Sequence, residues 1–156
     1  MRKTLIVGLG NPILGDDGIG WRVAEELRRQ LLPPGVEIDQ LASGGISLME
    51  RLVGYDAAIV VDAMRTGRYP LGSVHSFRLE QLENSFAGHL GSPHETNLAT
   101  ALDLGRDLGA ELPKSVMVVA VEAEQVYDFS EQLSPVVEAA VDPAIQVVLA
   151  LLQRFF

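Results

Sequence analysis

The sequence predicts an α/β fold in which a mostly parallel central sheet of about five strands carries helices on both faces. Three observations support this prediction. Short, continuously apolar runs are typical of strands buried on both faces. Segments with helical periodicity lie between those runs. Hydrophobic residues make up 47% of the 156 residues and charged residues 21%, so we expect residues 1–156 to form a single domain with one core.

Five segments have the patterns of strands. The runs at residues 4–7, 57–61 and 115–121 are almost wholly apolar and predict central strands. Residues 36–41 and 73–77 alternate apolar and polar side chains, which is typical of half-buried or edge strands. The first run ends at a glycine-rich segment, and we expect the second to end at Asp62.

Four segments have helical periodicity. Apolar residues recur at three- and four-residue steps over residues 19–31, and the prolines that follow end the pattern. Residues 46–53 predict a short helix closed by a glycine, and residues 98–108 predict another. The longest helix is predicted over residues 136–156, with Pro143 in or near a bend because proline lacks the amide donor.

Charge and composition exclude several classes of function. The 12 basic and 21 acidic residues give a net charge of −9, which is unfavourable for binding nucleic acid or anionic lipid. The absence of cysteine excludes disulfides and thiolate ligands, so any metal must be held by oxygen and nitrogen. The apolar segments near the N-terminus and at residues 144–152 are too short for a signal peptide or a membrane span. We expect a cytoplasmic protein that binds neither nucleic acid nor membrane.

A glycine-rich loop, Gly-Leu-Gly-Asn-Pro-Ile-Leu-Gly-Asp-Asp-Gly-Ile-Gly, occupies residues 8–20. It does not fit the dinucleotide-binding fingerprint, because Ile13 stands where a third glycine or alanine is needed and Pro12 removes an amide. The adjacent acids Asp16 and Asp17 would also repel phosphate. One of them could cap or stabilise the start of the next helix, which leaves the other available as a ligand.

Two further residues could join Asp17 in a ligand set. Asp62 follows a strand predicted to be buried, and ligands bind at the carboxyl ends of strands in open α/β sheets. His94 lies in the helix-start pattern Ser-Pro-His-Glu, where the positive helix end favours neutral, metal-binding imidazole. Two carboxylates and one histidine suit nickel or zinc better than calcium. The alternative that Asp62 only caps the next turn stays open at this point.

The chain resembles the hydrogenase maturation endopeptidases, which trim the C-terminal extension from the large subunit of nickel-iron hydrogenases after nickel is installed. The resemblance rests on Gly-x-Gly-Asn and Asp-Asp-Gly-x-Gly within residues 8–20, on the strand ending at residues 60–63, and on Ser-Pro-His at residues 92–94. It extends over the whole chain and implies a mixed α/β fold, in agreement with the pattern of strands and helices.

The resemblance also implies the site and the partner. Carried over residue by residue, the metal-binding and catalytic set falls on Asp17, Asp62 and His94, with Asp16 as a candidate general base. The implied partner is the hydrogenase large-subunit precursor, which delivers nickel; zinc or another divalent ion could be a surrogate. We expect a monomer. Ser43 replaces an aspartate that many members carry before two glycines, so no role of that carboxylate carries over.

Two alternatives remain open. The chain could be a non-catalytic module that binds a nucleotide or metabolite through the glycine-rich loop, or a peptidase of similar fold that processes another precursor. Nickel or zinc binding that Asp17→Asn abolishes would support the protease, whereas nucleotide binding without metal would support the module. The loops at residues 64–69 and 80–91 flank Asp62 and His94, and are candidates for selecting the client.

Overall fold

Five strands form one sheet: β1 (Thr4–Leu9), β2 (Val36–Leu41), β3 (Ala57–Met64), β4 (Val74–Arg78) and β5 (Ser115–Glu122). Their order is β2-β1-β3-β5-β4, and all neighbours are parallel except β4, which runs antiparallel to β5. The computed structural model describes residues 2–82, 97–124 and 129–155. The mostly parallel sheet that the sequence predicts is confirmed.

The helices cover both faces of the sheet, as predicted. They are α1 (Ile19–Leu27), α2 (Gly45–Leu52), α3 (Leu98–Asp107), α4 (Pro135–Glu138) and α5 (Val141–Phe155). One apolar cluster joins α2 and α3 to one face of the sheet, and a second joins α1, α4 and α5 to the other. Each face of the central strands is therefore buried, which explains why their sequences are continuously apolar.

The strand that carries Asp62 is longer than predicted. β3 does not end at Asp62 but continues to Met64, because its last residues pair with Ala120–Glu122 on β5. The pairing of β3 with β1 stops at Val61, so the pairing with β5 alone continues the strand past Asp62.

Two helices differ from the sequence prediction. The first ends at Leu27 rather than at residue 31, and the side chain of Leu31 is fully exposed, so no packing extends the helix. The last is divided at residues 139–140 into α4 and α5. Pro143 lies in the first turn of α5, where a helical residue needs no amide donor, so the predicted bend near this proline is found.

Close packing of α1 on the sheet fixes the loop that follows β1. A Cβ atom on Gly20 would lie 2.4 Å from the carbonyl oxygens of both Leu9 and Val61, and one on Gly8 would lie 2.2 Å from the carbonyl oxygen of Gly20. Only glycine permits this approach of helix and strands. The start of α1 therefore rests directly on the ends of β1 and β3.

Among the described helices, the stretch Pro135–Arg154 has the length and mean hydropathy, 1.7, of a membrane-spanning segment, which is weak evidence by itself. Its side chains Val137, Ala144 and Val148 are buried in the cluster shared with α1 and the sheet. The protein core therefore accounts for the apolar face of this stretch.

Candidate functional site

Buried charge collects at the carboxyl end of the sheet, where β1, β3 and β5 end. Among the described residues, four charged side chains are buried, and all four are carboxylates in this region: Asp16 (4% exposed), Asp17 (6%), Asp62 (0%) and Glu122 (1%). Removing a carboxylate from water is costly unless its surroundings compensate. This concentration marks the carboxyl end of the sheet as the candidate functional site.

Asp17 lies on the single-turn 3-10 helix Gly15–Gly18, which follows β1. Its Oδ2 accepts a hydrogen bond from the backbone N–H of Asn11 at 2.8 Å. Its Oδ1 accepts a hydrogen bond from Nη2 of Arg65 at 3.0 Å. The carboxylate is thus fixed on one side by the loop backbone and faces a cation on the other.

Asp16 has a different partner. Its Oδ1 accepts a hydrogen bond from the backbone N–H of Ser134 at 2.6 Å, and its Oδ2 accepts one from the Ser134 hydroxyl at 2.8 Å. Ser134 is the N-cap of α4, so Asp16 ties the loop after β1 to the start of that helix. Neither aspartate caps α1, whose N-cap Gly18 receives no side-chain hydrogen bond. The N-cap part of the interpretation is therefore wrong, whereas both aspartates do lie in the first turn of the 3-10 helix that leads into α1.

Asp62 lies near the end of β3, opposite Ala120 on β5. Because side chains alternate along a strand, Asp62 shares the sheet face of Val60 and Met64, which is the face covered by α2 and α3. β3 also pairs with β1, with Val61 opposite Gly8. The structure thus places Asp62 beside the strand end from which the Asp17 loop departs.

Two further residues at this end of the sheet, Glu122 and Arg65, are not predicted by the sequence patterns. The carboxylate of Glu122 accepts hydrogen bonds from the Thr66 backbone N–H at 3.0 Å, from the Thr66 hydroxyl, and from the Tyr69 N–H at 3.4 Å. It therefore fixes the loop after β3, which begins with Arg65. An acid after an apolar run is the signal that found Asp62 and could have found Glu122. Arg65 has no local signal, because its contact with Asp17 spans 48 positions.

His94 and its helix-start pattern lie outside the described residues, within residues 83–96. The described helix that follows, α3, begins with Asn97 as its N-cap, whose side chain accepts a hydrogen bond from the Thr100 N–H at 2.8 Å. Within the described ranges, no three His, Asp or Glu side chains form a group able to hold a metal ion. The histidine of the ligand set stays a prediction.

Ser43 is half-buried in the loop after β2, the strand next to β1. The glycine turn that follows is retained, since Gly45 has a φ of 66°. Position 43 therefore contributes a hydroxyl and no carboxylate to this end of the sheet.

The backbone amides of the glycine-rich loop are engaged within the protein. Six of these N–H groups donate to acceptors of the protein itself. Three of the acceptors are oxygens of Asn11 or Asp17: Asn11 donates to Asp17 Oδ2, Ile13 to Asn11 Oδ1, and Leu14 to the Asn11 carbonyl. The other three are carbonyl oxygens: Gly10 donates to Leu41, Gly15 to Ser130, and Asp17 to Leu14. A phosphate-binding loop needs N–H groups that point at the ligand. The loop therefore lacks the main feature of a phosphate cradle, which weakens the nucleotide-binding alternative.

A cavity of about 830 Å³ lies at the opposite, amino end of the sheet. Residues of both charges line it, among them Arg2, Asp56, Glu111 and Lys114. None of the four buried carboxylates takes part in its lining, so this cavity is separate from the candidate site.

The known sequences that this chain resembles are proteins of hydrogenase maturation. A sequence-family model described as hydrogenase maturation protease matches residues 21–151. The hydrogenase 2 maturation protease of Escherichia coli (strain K12) is 34% identical over 153 residues, which cover 97% of this chain and 92% of that protein. The hydrogenase expression/formation protein HoxM of Azotobacter vinelandii is 32% identical over 96% of this chain and 72% of that protein.

Solved structures give the same result. The hydrogenase maturating endopeptidase HybD from E. coli has a TM-score of 0.82 at 34% identity, covering 99% of this chain and 93% of that one. The [NiFe] hydrogenase maturation protease HybD from Thermococcus kodakarensis has a TM-score of 0.73 at 23% identity, covering 97% and 99%. The second likeness supports the fold alone.

Proposed function

Because the chain belongs to the hydrogenase maturation protease family and is therefore an endopeptidase, we propose that it processes the large-subunit precursor of a nickel-iron hydrogenase. In this proposal it removes the C-terminal extension of the precursor after nickel has been inserted. The inserted nickel binds to Asp17, Asp62 and His94 and positions the scissile peptide bond, so cleavage depends on metal insertion.

The observation that carries this proposal is the pair of buried carboxylates at the carboxyl end of the sheet: Asp17, on the turn that follows β1, and Asp62, near the end of the neighbouring strand β3. Asp16 is matched by two neutral donors of one residue, Ser134. The contacts of Asp17 include, besides the Asn11 N–H, the cationic side chain of Arg65, whose place on the carboxylate a metal ion could take. The segment that contains His94 leads into α3, which packs on the sheet face to which Asp62 belongs.

Nickel enters as part of the substrate. The chain has no cysteine, so thiolate ligands come from the precursor, and this protein supplies only carboxylate oxygens and an imidazole nitrogen. A divalent metal held by a mixed set of this kind can leave with the product after cleavage. Zinc or another divalent ion can stand in for nickel in binding experiments.

Asp16 positions the turn that carries Asp17 and is not the general base. Both of its carboxylate oxygens accept hydrogen bonds from Ser134, which leaves the residue poorly placed to take a proton from water. By holding the start of α4 against the loop after β1, it keeps the turn that carries Asp17 in place.

The experiment is an in vitro processing assay with nickel-loaded precursor, followed by mass spectrometry of the cleaved C-terminus. His94→Ala and Asp17→Asn are expected to abolish cleavage, since each removes a ligand for the nickel. His89→Ala is the matched control for nickel binding, because it removes a histidine from the same segment that is not in the proposed ligand set, and it is expected to leave nickel binding intact. Full activity of His94→Ala would remove that residue from the site.

Binding experiments separate the protease from the remaining alternative. We expect nickel or zinc to bind to the wild type and not to Asp17→Asn, whereas nucleotide binding without metal would support a metabolite-binding module.

We further propose that the protein acts as a cytoplasmic monomer, and that the loops at residues 64–69 and 80–91 select the client. Analytical ultracentrifugation tests the monomeric state. Exchange of these loops with those of a relative that processes another client tests whether they select the client.

A further inference from the structure

We propose that Arg65 is a tethered cation that occupies Asp17 until a metal-bearing precursor displaces it, so that the site binds a free divalent ion more weakly than it would without Arg65. This inference rests on the proposed function, because it takes Asp17 as a ligand of the nickel. It assigns to Arg65 control over which form of the metal the site accepts.

The contacts of Asp17 differ in how easily they can be exchanged. Asn11 donates to Oδ2 from its backbone N–H, and the loop around it is held by its own hydrogen bonds. Arg65 donates to Oδ1 from a long side chain that can rotate away. A metal ion arriving at Asp17 therefore competes with Arg65 for Oδ1.

Charge makes this competition strong. A guanidinium stays protonated at any physiological pH, so Arg65 cannot make room by losing a proton. Two cations on one carboxylate oxygen repel each other, and the repulsion is poorly screened because Asp17 is buried. Since Arg65 belongs to the same chain, its effective concentration at Asp17 is far above that of a dissolved metal ion.

Hydrogen bonds on both sides of Arg65 hold the loop after β3 so that this side chain faces Asp17. Arg65 follows the last residue of β3, and Ala123 donates its N–H to the Met64 carbonyl at 2.9 Å. On the other side, the carboxylate of Glu122 holds Thr66. The backbone on both sides of Arg65 is thus fixed, while its side chain is 27% exposed, so solvent adjoins the position that a displaced guanidinium would leave.

A docked precursor differs from a free ion in two respects. Its thiolates already offset the charge of the nickel, so less positive charge meets Arg65 at the moment of transfer. The precursor backbone also offers carbonyl oxygens that can accept the hydrogen bonds of the released guanidinium. The same displacement that is unfavourable for a dissolved ion is therefore favourable for the metal in its client.

The test measures binding of free Ni²⁺ to the full chain by calorimetry. Arg65→Gln is expected to bind Ni²⁺ about tenfold or more tightly than the wild type, in line with the coupling of close, buried charge pairs. Arg65→Lys, which keeps the charge, should stay close to the wild type. The matched control is Arg51→Gln, which removes a guanidinium from Asp39 at 2.5 Å and lowers the net charge equally. It should leave Ni²⁺ affinity unchanged.

A second readout guards against misfolding. The melting temperature of each variant is recorded with and without Ni²⁺, because a bound ion stabilises the folded state. Arg65→Gln should show a larger metal-induced rise than the wild type, and adding Asp17→Asn should remove it. Affinity in Arg65→Gln that is equal to or weaker than that of the wild type would overturn the inference, as would a gain that survives Asp17→Asn.

The two proposals fail in different ways. If Arg65→Gln gains no affinity while the wild type still cleaves nickel-loaded precursor and Asp17→Asn does not, the role of Arg65 is wrong and the proposed function stands. If Asp17→Asn cleaves the precursor normally, the proposed metal site is wrong.

Discussion

Asp16 and Asp17 are neighbours on one turn and almost equally buried, yet their partners differ in kind. Both oxygens of Asp16 accept hydrogen bonds from one neutral residue, Ser134. The contacts of Asp17 within the described residues include hydrogen bonds from the backbone amide of Asn11 and from the guanidinium of Arg65. The first arrangement is typical of a link between structural elements, whereas the second places an exchangeable cation on the carboxylate, as the proposed ligand role of Asp17 requires. Residue type and burial are alike at the two positions, so the difference between their proposed roles rests on their partners.

The largest expected effect is on processing. Asp17→Asn should slow cleavage of nickel-loaded precursor by at least ~100-fold, because the amide no longer offers a charged ligand to the metal. Asp16→Asn should retain most of the activity, since an amide can still accept one hydrogen bond from Ser134. Initial cleavage rates measured by gel shift check both variants. Equal losses in the two would contradict the contrast between these aspartates.

Stability should show the reverse order. Asp16→Ala leaves the N–H and hydroxyl of Ser134 without their acceptor, so the free energy of unfolding should fall by about 2 to 3 kcal/mol. Ser134→Ala removes only the hydroxyl donor and should lower it by about 1 kcal/mol. Urea denaturation followed by circular dichroism measures both. Unchanged stability of Asp16→Ala would show that the link to α4 has no energetic weight.

A smaller effect is expected at Glu122, which acts on Asp17 only through the loop that carries Arg65. Glu122→Gln replaces an acceptor oxygen with an NH₂ group near the donors of Thr66, so the loop should loosen. Processing should fall by roughly tenfold, less than in Asp17→Asn. The tighter Ni²⁺ binding expected of Arg65→Gln should appear here in weaker form. Wild-type values in both assays would show that the loop needs no such anchor.

The smallest effect concerns an ionisable group remote from both aspartates. Burial raises the pKa of the Tyr55 hydroxyl above its usual 10.0, and its hydrogen bond to Glu37 raises the pKa further. A raised pKa in the folded state means that this stabilising contribution is complete below pH 10 and is lost as the pH rises through the folded value. Urea titrations between about pH 9 and 11 should show a steeper loss of stability in the wild type than in Tyr55→Phe. Processing at neutral pH should be equal in the two proteins.

The sequence predicts those features of the fold and the site that depend on local patterns of residues. Apolar runs place β1, β3 and β5, and an acid following the second run leads to Asp62. The end of α1 is mispredicted because Leu31 continues the apolar period but finds nothing to pack against. The links from Asp16 to Ser134 and from Asp17 to Arg65 join residues 118 and 48 positions apart. No local pattern carries such pairings, because they depend on how the loops meet after the sheet has formed.

The most direct test of the central claim compares nickel-loaded and nickel-free precursor as substrates for the wild-type protein under identical conditions. Mass spectrometry of the large subunit reports whether the C-terminal extension has been removed. If the carboxylates at the carboxyl end of the sheet recognise the metal in its client, only the nickel-loaded precursor is processed. Cleavage of the nickel-free precursor at the same rate would contradict the claim.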